Sequence, residues 1–314
     1  MRLARSSVLR SLELVGLSIT AVSLSVLSPT VAQPPPIPLP VKLPITPDVP
    51  YVPTPQNVVN AMLNFANVTP TDFVYDLGSG DGRLVLTAVQ KFGATGIGIE
   101  INPGLVQRSQ ASAAQLGISG EACTVVPCAN RATFFQQDLF QTDLRKASVV
   151  TLYLLPKINV KLRPKLLSEL KPGSRVVSHA FGMGDWKPDR TILVDDGGRP
   201  RSVYLWIVPV NLSGNWSGSM STKAGRQLPY SVQVDQTFQA VRATVKVSGQ
   251  TISLPQVQLM GDRLSLQHDQ VFNGQKINIR FNGKIIGNNL QGTAELTTPT
   301  GTETYDLNAK RSEG

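Results

Sequence analysis

A glycine-rich turn directly after an apolar segment is the feature that most restricts how this chain can fold. Residues 73–77 predict a buried strand, and Gly78, Gly80 and Gly82 follow at alternate positions. Glycines let a backbone turn sharply and approach a ligand closely. A helical pattern begins at Leu84, and a helix N-terminus favours a negatively charged ligand group. The strand, turn and helix therefore predict a ligand site at the edge of an α/β sheet.

Strands and helices alternate on both sides of this turn. The apolar spacing predicts helices and strands over the following residues. The helices are 57–66, 84–89, 103–116 and 158–170, and the strands are 73–77, 96–100, 132–136, 149–154, 176–178 and the antiparallel pair 192–194 and 202–208. Pro164 is expected near the first turn of its helix, or as a kink. Such alternation predicts a mostly parallel sheet covered by helices, with ligands beyond the carboxyl ends of its strands.

The pattern changes after about residue 211. Helical periodicity ends, and short alternating segments are separated by turns rich in glycine and asparagine. This pattern predicts a small antiparallel β domain, either a barrel or a sandwich. The predicted organisation is residues 1–32 as a signal peptide or membrane anchor, 33–55 as a proline-rich linker, 56–210 as the α/β domain and 211–314 as the β domain.

The N-terminal segment has basic residues, an apolar run and a cleavage motif in the order that is typical of a secretory signal peptide. Arg2, Arg5 and Arg10 precede an apolar run over 12–27, and residues 30–32 form a small-residue cleavage motif. An uncleaved membrane anchor is the alternative, and it adds membrane association through the N-terminus. Both interpretations predict that the later domains lie outside the cytoplasm, in a periplasm or its equivalent.

Charge and cysteine content restrict the partners. The 314 residues carry a formal net charge of +9, spread without a basic run, so no nucleic-acid partner is expected. Cys123 and Cys128 lie in one loop, where an oxidising compartment favours a local disulfide and the alternative is two free thiols. The chain has only two histidines, His179 and His268, and no second cysteine pair, so zinc is not predicted.

The residues around the turn favour a methyl donor over a nicotinamide dinucleotide. The dinucleotide pattern G-x-G-x-x-G requires a third glycine where Arg83 stands. Asp76 would repel a pyrophosphate, but it suits a ligand that carries a positive amine and a sulfonium. The helix N-terminus suits the carboxylate of the same ligand. These features together predict S-adenosyl-L-methionine as the cofactor.

Two further acidic residues follow neighbouring strands. Glu100 ends the second strand and is placed to accept both ribose hydroxyl protons, with an exposed strand-end acid as the alternative. Asp138 follows the third strand and is a candidate for the adenine amino group, with Leu139 or Phe140 beside the ring. A loop acid or a helix cap is the other interpretation of Asp138.

Candidates for contact with the methyl acceptor follow the fourth and fifth strands. Tyr153 could face the acceptor or be a core tyrosine, and His179 is either a general base or a hydrogen-bonded structural histidine. Asp185 and Trp186 are a candidate acceptor wall, with a packed loop tryptophan as the alternative. The sequence also lacks the Asn/Asp-Pro-Pro-aromatic motif that many amino-methylating enzymes carry after the fourth strand.

With these residues in place, residues 51–209 resemble bacterial class I, seven-strand methyltransferases, which are similar to the mitochondrial lysine methyltransferases of the ATP-synthase c-subunit. The matching segments are Tyr-Val-Pro-Thr-Pro at 51–55, Asp-Leu-Gly-Ser-Gly-Asp-Gly-Arg at 76–83, Gly-Ile-Glu-Ile-Asn-Pro at 98–103, Asp-Leu-Phe at 138–140 and Leu-Leu-Pro at 154–156.

The resemblance implies a Rossmann-like seven-strand sheet and a lysine amine as acceptor. It also implies that residues 51–54 fold over the methyl donor and shape the acceptor channel. The cofactor-binding residues that it predicts are Tyr51, Thr54, Asp76, Gly78, Gly80, Glu100, Asn102, Asp138, Leu139 and Leu154. The cysteine loop at 119–131 and the β domain after 211 depart from the mitochondrial pattern.

Three functions follow from these observations. The leading hypothesis is an active S-adenosylmethionine-dependent methyltransferase that acts on a protein lysine. The second is methyl transfer to a small or lipid-like acceptor near a membrane. The third is an exported binding protein that keeps the methyltransferase fold without turnover, because the donor is made in the cytosol whereas the N-terminus predicts export.

Overall fold

A computed structural model describes residues 51–120, 130–222, 225–272 and 274–312 of the chain. The N-terminal signal or anchor, the linker up to residue 50, and the loop with Cys123 and Cys128 lie outside the described residues, so the interpretations of those segments stay predictions.

The first part of the described chain is a seven-stranded mixed sheet. Its strands run in the spatial order β3-β2-β1-β4-β5-β7-β6. The first five are parallel, and β7 and β6 close one edge in antiparallel pairing. The bounds are β1 Phe73–Leu77, β2 Thr95–Glu100, β3 Ala132–Gln136, β4 Val149–Leu152, β5 Arg175–His179, β6 Arg190–Asp195 and β7 Pro200–Ile207. The predicted Rossmann-like seven-strand sheet is confirmed.

Four α-helices of the described chain belong to this sheet. They are α1 Gln56–Phe65, α2 Arg83–Phe92, α3 Pro103–Gln115 and α4 Pro156–Glu169. The buried residues of α1, including Val58 and Met62, pack in one apolar cluster, and those of α4, including Leu162, pack in a separate cluster. Burial of each such side chain contributes roughly 1.5–3 kcal/mol, so the two clusters fix the helices against the sheet.

The prediction that Pro164 lies near the first turn of its helix is wrong. Helix α4 begins at Pro156, two residues earlier than the apolar pattern indicated, and Pro164 lies in its interior, eight residues after that start. The alternative of a kink at Pro164 stays a prediction. Pro156 occupies the first turn, where the missing N–H and the fixed φ of proline are tolerated.

The second part of the described chain is a closed antiparallel barrel of eight strands, so the barrel alternative is confirmed over the sandwich. Its order is β10-β11-β12-β13-β14-β15-β8-β9. The bounds are β8 Gly214–Thr222, β9 Gln227–Thr237, β10 Ala240–Val247, β11 Gln250–Met260, β12 Arg263–Phe272, β13 Gln275–Ile286, β14 Asn289–Thr298 and β15 Gly301–Arg311. Along most strands, inward apolar residues alternate with exposed polar residues, as a filled or lined barrel requires.

Trp186 joins the sheet to the barrel. Its side chain is fully buried, and its Nε1 donates to Oε1 of Gln239 at 2.9 Å. Its ring stacks on Phe238 with a centroid distance of 5.9 Å, and its carbonyl accepts a 2.9 Å bond from Nε1 of Trp206. The interpretation of Trp186 as part of the acceptor wall is therefore wrong, because its ring is buried in the junction between the two domains.

In the described part of the chain, no helix is both long enough and apolar enough to cross a lipid bilayer.

Candidate active site

The glycine turn after β1 adopts a conformation that only glycine takes readily. Gly78, Gly80 and Gly82 have φ values of 81°, 55° and 79°. A Cβ atom on Gly80 would lie 2.5 Å from a ring carbon of Tyr51, and one on Gly78 would lie 2.9 Å from the side chain of Leu154. The turn therefore leaves its backbone open to close approach, with two neighbouring segments packed against it.

Asp76 places a buried carboxyl group below this turn. It lies in β1, is only 6% exposed, and accepts a 2.7 Å hydrogen bond from the hydroxyl of Thr151. Burial raises the pKa of Asp76 to about 7; the Thr151 bond opposes this rise, and the charges of Glu100 and Asp81 add to it. Among the described residues, no basic side chain forms an ion pair with Asp76. A cationic ligand group would supply the missing positive charge.

Glu100 links the glycine turn to the start of α3. Its Oε2 accepts a 2.9 Å bond from the backbone N–H of Gly80, and its Oε1 accepts a 2.8 Å bond from the N–H of Asn102. Each carboxylate oxygen can accept a second hydrogen bond, so these contacts leave capacity for ligand hydroxyls. Asn102 in turn caps α3 by accepting a 2.9 Å bond from the N–H of Gly104.

A short segment before α1, residues 51–54, lies over the turn and is called the strap below. The carbonyl of Thr54 accepts a 3.0 Å bond from Nη1 of Arg83, and Arg83 forms a 2.6 Å ion pair with Asp81. Burial and the nearby Asp81 carboxylate raise the pKa of the Tyr51 hydroxyl. Asp81 and Arg83 thus hold the strap, a role that the sequence alone did not indicate.

Asp138 caps the short 3₁₀ turn Leu139–Gln141. Its Oδ1 accepts a 2.8 Å bond from the N–H of Phe140. Asp138 therefore acts as a helix cap through this oxygen. The residue also borders the donor cavity. Phe140 packs under the ammonium group of Lys161, which lies 4.2 Å from the ring centroid.

Tyr153 and His179 lie against each other at the ends of β4 and β5. Their rings stack with a centroid distance of 4.0 Å, and the ring of Phe181 is also stacked with Tyr153, at a centroid distance of 6.1 Å. His179 is fully buried, and its Nδ1 lies 3.3 Å from the hydroxyl of Thr54. Burial, helped by the charge of Arg201, lowers the pKa of His179 to about 4. The imidazole is therefore neutral at pH 7.

These elements surround one cavity of about 520 Å³, within the usual range for small-molecule sites. Every predicted cofactor residue borders it, and so does Tyr153, whereas His179 lies behind the wall. Val52 and Pro53, in the segment expected to fold over the donor, also line the cavity. The lining includes further residues that the sequence did not indicate: Met62, Ser79, Asp81, Arg83, Leu84, Ile99, Ile101, Leu105, Gln137, Leu152 and Ile158. Among the described residues, no cluster of His, Cys, Asp or Glu has the composition of a metal site.

The cavity fits S-adenosylmethionine. Asp76 is a buried carboxyl group without a cationic partner among the described side chains, Glu100 has unused acceptor capacity, and the glycine turn exposes backbone. A positive amine, ribose hydroxyls and a carboxylate would complement these three features. The sheet order and this cavity together define a class I methyltransferase that uses S-adenosylmethionine.

Comparison with known proteins agrees with this class. The family model described as the ANTKMT methyltransferase domain matches residues 76–190. A protein-lysine N-methyltransferase of Saccharolobus islandicus is 42% identical over 163 residues, which cover 52% of this chain and 95% of that protein. The adenine nucleotide translocase lysine N-methyltransferase of Mus musculus is 34% identical over 173 residues, covering 55% of this chain and 68% of that protein.

A solved structure is also similar. The RNA methyltransferase of Salinibacter ruber, in complex with S-adenosyl-L-homocysteine, is 49% identical, covers 51% of this chain and 96% of its own, and has a TM-score of 0.45. The chain belongs to the protein-lysine N-methyltransferase family that carries the ANTKMT methyltransferase domain. The predicted family, enzyme class and cofactor are confirmed, and the site assignments stay predictions.

Proposed function

We propose that this enzyme transfers the methyl group to the ε-amino group of a lysine in a protein acceptor. The observation that carries the proposal is the wall of the donor cavity. Tyr51, Phe140 and Tyr153 border the cavity, and its described lining contains neither a histidine nor a lysine. The family relatives that are named for lysine methylation support the same acceptor.

An aromatic wall suits a lysine acceptor for two reasons. A lysine ammonium is attracted to aromatic faces as it approaches. Removal of the amine from water then lowers its pKa and favours the neutral form, whose lone pair is the nucleophile. Methyl transfer to such an amine does not require a strong protein base, since correct placement alone can supply about 7–11 kcal/mol of the barrier reduction.

The chain's own residues bind and orient the two reactants. S-adenosylmethionine, when bound, supplies a methyl group on a positively charged sulfur. Asp76 would hold the amine of the donor and Glu100 its ribose, while the strap would exclude water from the glycine turn. Tyr153 borders the cavity and is supported from behind by His179. We assign His179 as a positioning residue, because the neutral imidazole lies outside the cavity lining.

The acceptor assignment is tested with purified enzyme, methyl-labelled S-adenosylmethionine and a lysate of the source cells. We expect label in protein, and peptide mass spectrometry should locate it on lysine. Asp76→Asn enzyme is the matched inactive control. Label found only in lipid, small molecules or RNA would contradict a lysine acceptor and identify the acceptor class instead.

We also propose that the N-terminal segment exports the enzyme or anchors it to a membrane, with the two domains outside the cytoplasm. The support is the order of Arg2, Arg5 and Arg10, the apolar run over 12–27 and the motif at 30–32. A C-terminally tagged protein should appear in the periplasmic or membrane fraction, or their equivalent. Mass spectrometry of its N-terminus would distinguish cleavage after residue 32 from retention. A cytoplasmic protein with residues 1–32 intact would refute export.

A further inference from the structure

The interior of the barrel contains a cavity that the methyltransferase site does not use. It has a volume of about 370 Å³ and is lined by side chains from all eight strands. This volume is about two and a half times that of a 150 Å³ cavity that binds benzene. Packed protein interiors have few voids larger than a water molecule. The barrel therefore encloses space of the size that a small ligand fills.

The lining of this cavity is apolar and uncharged. On β14, for example, Leu290, Ala294 and Leu296 line the interior, whereas Gln291 and Glu295 are exposed on the outside. The polar residues among the described lining are Ser248, Tyr230 and Tyr305, and none of the described lining residues carries a charge at neutral pH. A charged ligand would lose its hydration there without compensation, so the cavity selects neutral, apolar molecules.

Glycines in the wall help to keep the interior open. The ring of Phe281 lies so close to Gly283 and Gly292 that Cβ atoms on these residues would be 2.4 Å and 2.7 Å from ring carbons. The ring therefore packs against the wall of β13 and β14. Its position leaves the centre of the barrel free for another molecule.

The two ends of the barrel differ. At the end next to the sheet, Leu212 and Trp216 are both 3% exposed, and Nε1 of Trp216 donates to the carbonyl of Leu212 at 2.9 Å. Towards the other end, the lining residues Val245, Ile252 and Leu296 are only partly buried, and β11 and β12 pair only over 258–260 and 263–265, next to the sheet. The cavity is therefore plugged near the sheet and accessible at the far end.

Tyr230 supplies one polar group inside this apolar cavity. The residue is 6% exposed, and its hydroxyl has no hydrogen-bond partner among the described residues. Burial raises the pKa of Tyr230 to about 12, so the hydroxyl is neutral and can both donate and accept. Buried polar groups in proteins are nearly always hydrogen-bonded. An oxygen or nitrogen atom of a ligand would supply the missing partner.

We propose that the barrel binds a neutral, predominantly apolar small molecule with one hydrogen-bonding group, which pairs with the hydroxyl of Tyr230. Scaled from benzene in a 150 Å³ cavity, the ligand has about fifteen non-hydrogen atoms. This binding site shares no lining residue with the methyl-donor cavity. The test of the barrel site is therefore independent of the test of the lysine acceptor.

Titration of the full chain with N-phenyl-1-naphthylamine, a neutral dye of suitable size, tests the site. We expect saturable, blue-shifted dye fluorescence with one molecule bound per chain. Ala294→Phe, which fills the cavity, should weaken dye binding at least tenfold. The matched control Glu295→Phe places the same ring on the outside of the same strand and should bind as the original protein does.

A second pair of variants, one inward and one outward, provides the same test if Ala294→Phe does not fold. Val245→Phe fills the cavity from β10, and Lys246→Phe is its outward control. Binding of S-adenosylhomocysteine to each variant, measured by calorimetry, verifies that the sheet domain is intact. The proposal is overturned if the original protein binds no dye saturably, or if an inward variant and its outward control bind it equally well.

Tyr230→Phe tests the polar contact separately. 1-Octanol and 1-chlorooctane have the same length but differ in their hydrogen-bonding group, and both can displace the dye. Loss of one neutral hydrogen bond should weaken 1-octanol binding about 2- to 12-fold relative to 1-chlorooctane. An unchanged ratio of the two affinities would overturn the role of Tyr230.

Discussion

Replacement of Asp76 by asparagine should stabilise the free enzyme while it destroys donor binding. Asparagine has nearly the shape of aspartate, and its Oδ1 can keep the hydrogen bond from Thr151. The substitution removes only the buried charge. The carboxylate of Asp76 is therefore a group whose presence costs stability and whose function is to bind a cation.

The magnitude follows from the pKa. Burial raises the pKa of Asp76 from 3.8 to about 7 in the folded enzyme. At 1.36 kcal/mol per pKa unit, the ionised carboxylate costs the folded state about 4 kcal/mol. Because the folded pKa is raised, this cost is absent below pH 3.8, grows as the pH rises, and is complete above about pH 7.

Urea titrations of the original enzyme and Asp76→Asn at several pH values measure this difference. We expect Asp76→Asn to be more stable by about 4 kcal/mol at pH 8 and by about 2 kcal/mol at pH 5, with further convergence at lower pH. Calorimetry at pH 8 should detect S-adenosylhomocysteine binding by the original enzyme and none by the variant.

The reasoning also predicts the pH dependence of donor affinity. Since the bound amine requires an ionised Asp76, affinity should fall as the pH drops below about 7, approaching tenfold per pH unit. Equal stability of the two proteins at pH 8, or donor affinity that is constant from pH 8 to pH 5.5, would refute the assignment of Asp76.

Three further predictions concern neighbouring groups. Glu100→Gln should weaken S-adenosylhomocysteine binding about 10- to 150-fold in calorimetry, because a neutral amide replaces a charged acceptor. Arg83→Met removes the bond to the Thr54 carbonyl, so KM for the donor should rise about tenfold with kcat nearly unchanged; a fall in kcat alone would contradict a strap-holding role. Trp186→Ala should lower the free energy of unfolding by about 3–5 kcal/mol, whereas donor affinity of the folded protein should not change.

The sequence predicted the donor side of the site well because that side depends on local geometry. A strand, a glycine turn and a helix fix where Asp76 and Gly80 lie, and parallel pairing of the next strand brings Glu100 beside them. The roles of Asp81 and Arg83 were missed because they depend on contact with a segment about 30 residues earlier in the chain. The charge pair Asp-x-Arg at the start of a helix was the only local sign of such an anchor.

The acceptor side and the junction were harder to predict. The pattern around Trp186 does not reveal that a glutamine 53 residues later receives its N–H, so an exposed wall and a packed loop were equally compatible with it. Strand alternation likewise predicts which residues of the barrel face inward. It does not determine whether opposing side chains meet or leave a cavity, since that depends on the number and tilt of strands and on the ring position of Phe281.

The tryptophans report on a part of the molecule that contains no described helix, in addition to the sheet. All three tryptophans of the chain, Trp186, Trp206 and Trp216, lie at the junction or at the plugged end of the barrel, and none borders the donor cavity. The four α-helices of the described chain all belong to the sheet domain. Trp186 and Trp206 pack in an apolar cluster of the sheet, whereas Trp216 packs in the cluster of the barrel. Tryptophan emission therefore reports on the sheet, the junction and the barrel, whereas helical circular dichroism reports on the sheet domain alone, so a transition that appears only in the emission belongs to the barrel. Melting curves from the two signals that coincide would mean that both halves unfold as one cooperative unit, and curves that separate would give the stability of each half from a single sample.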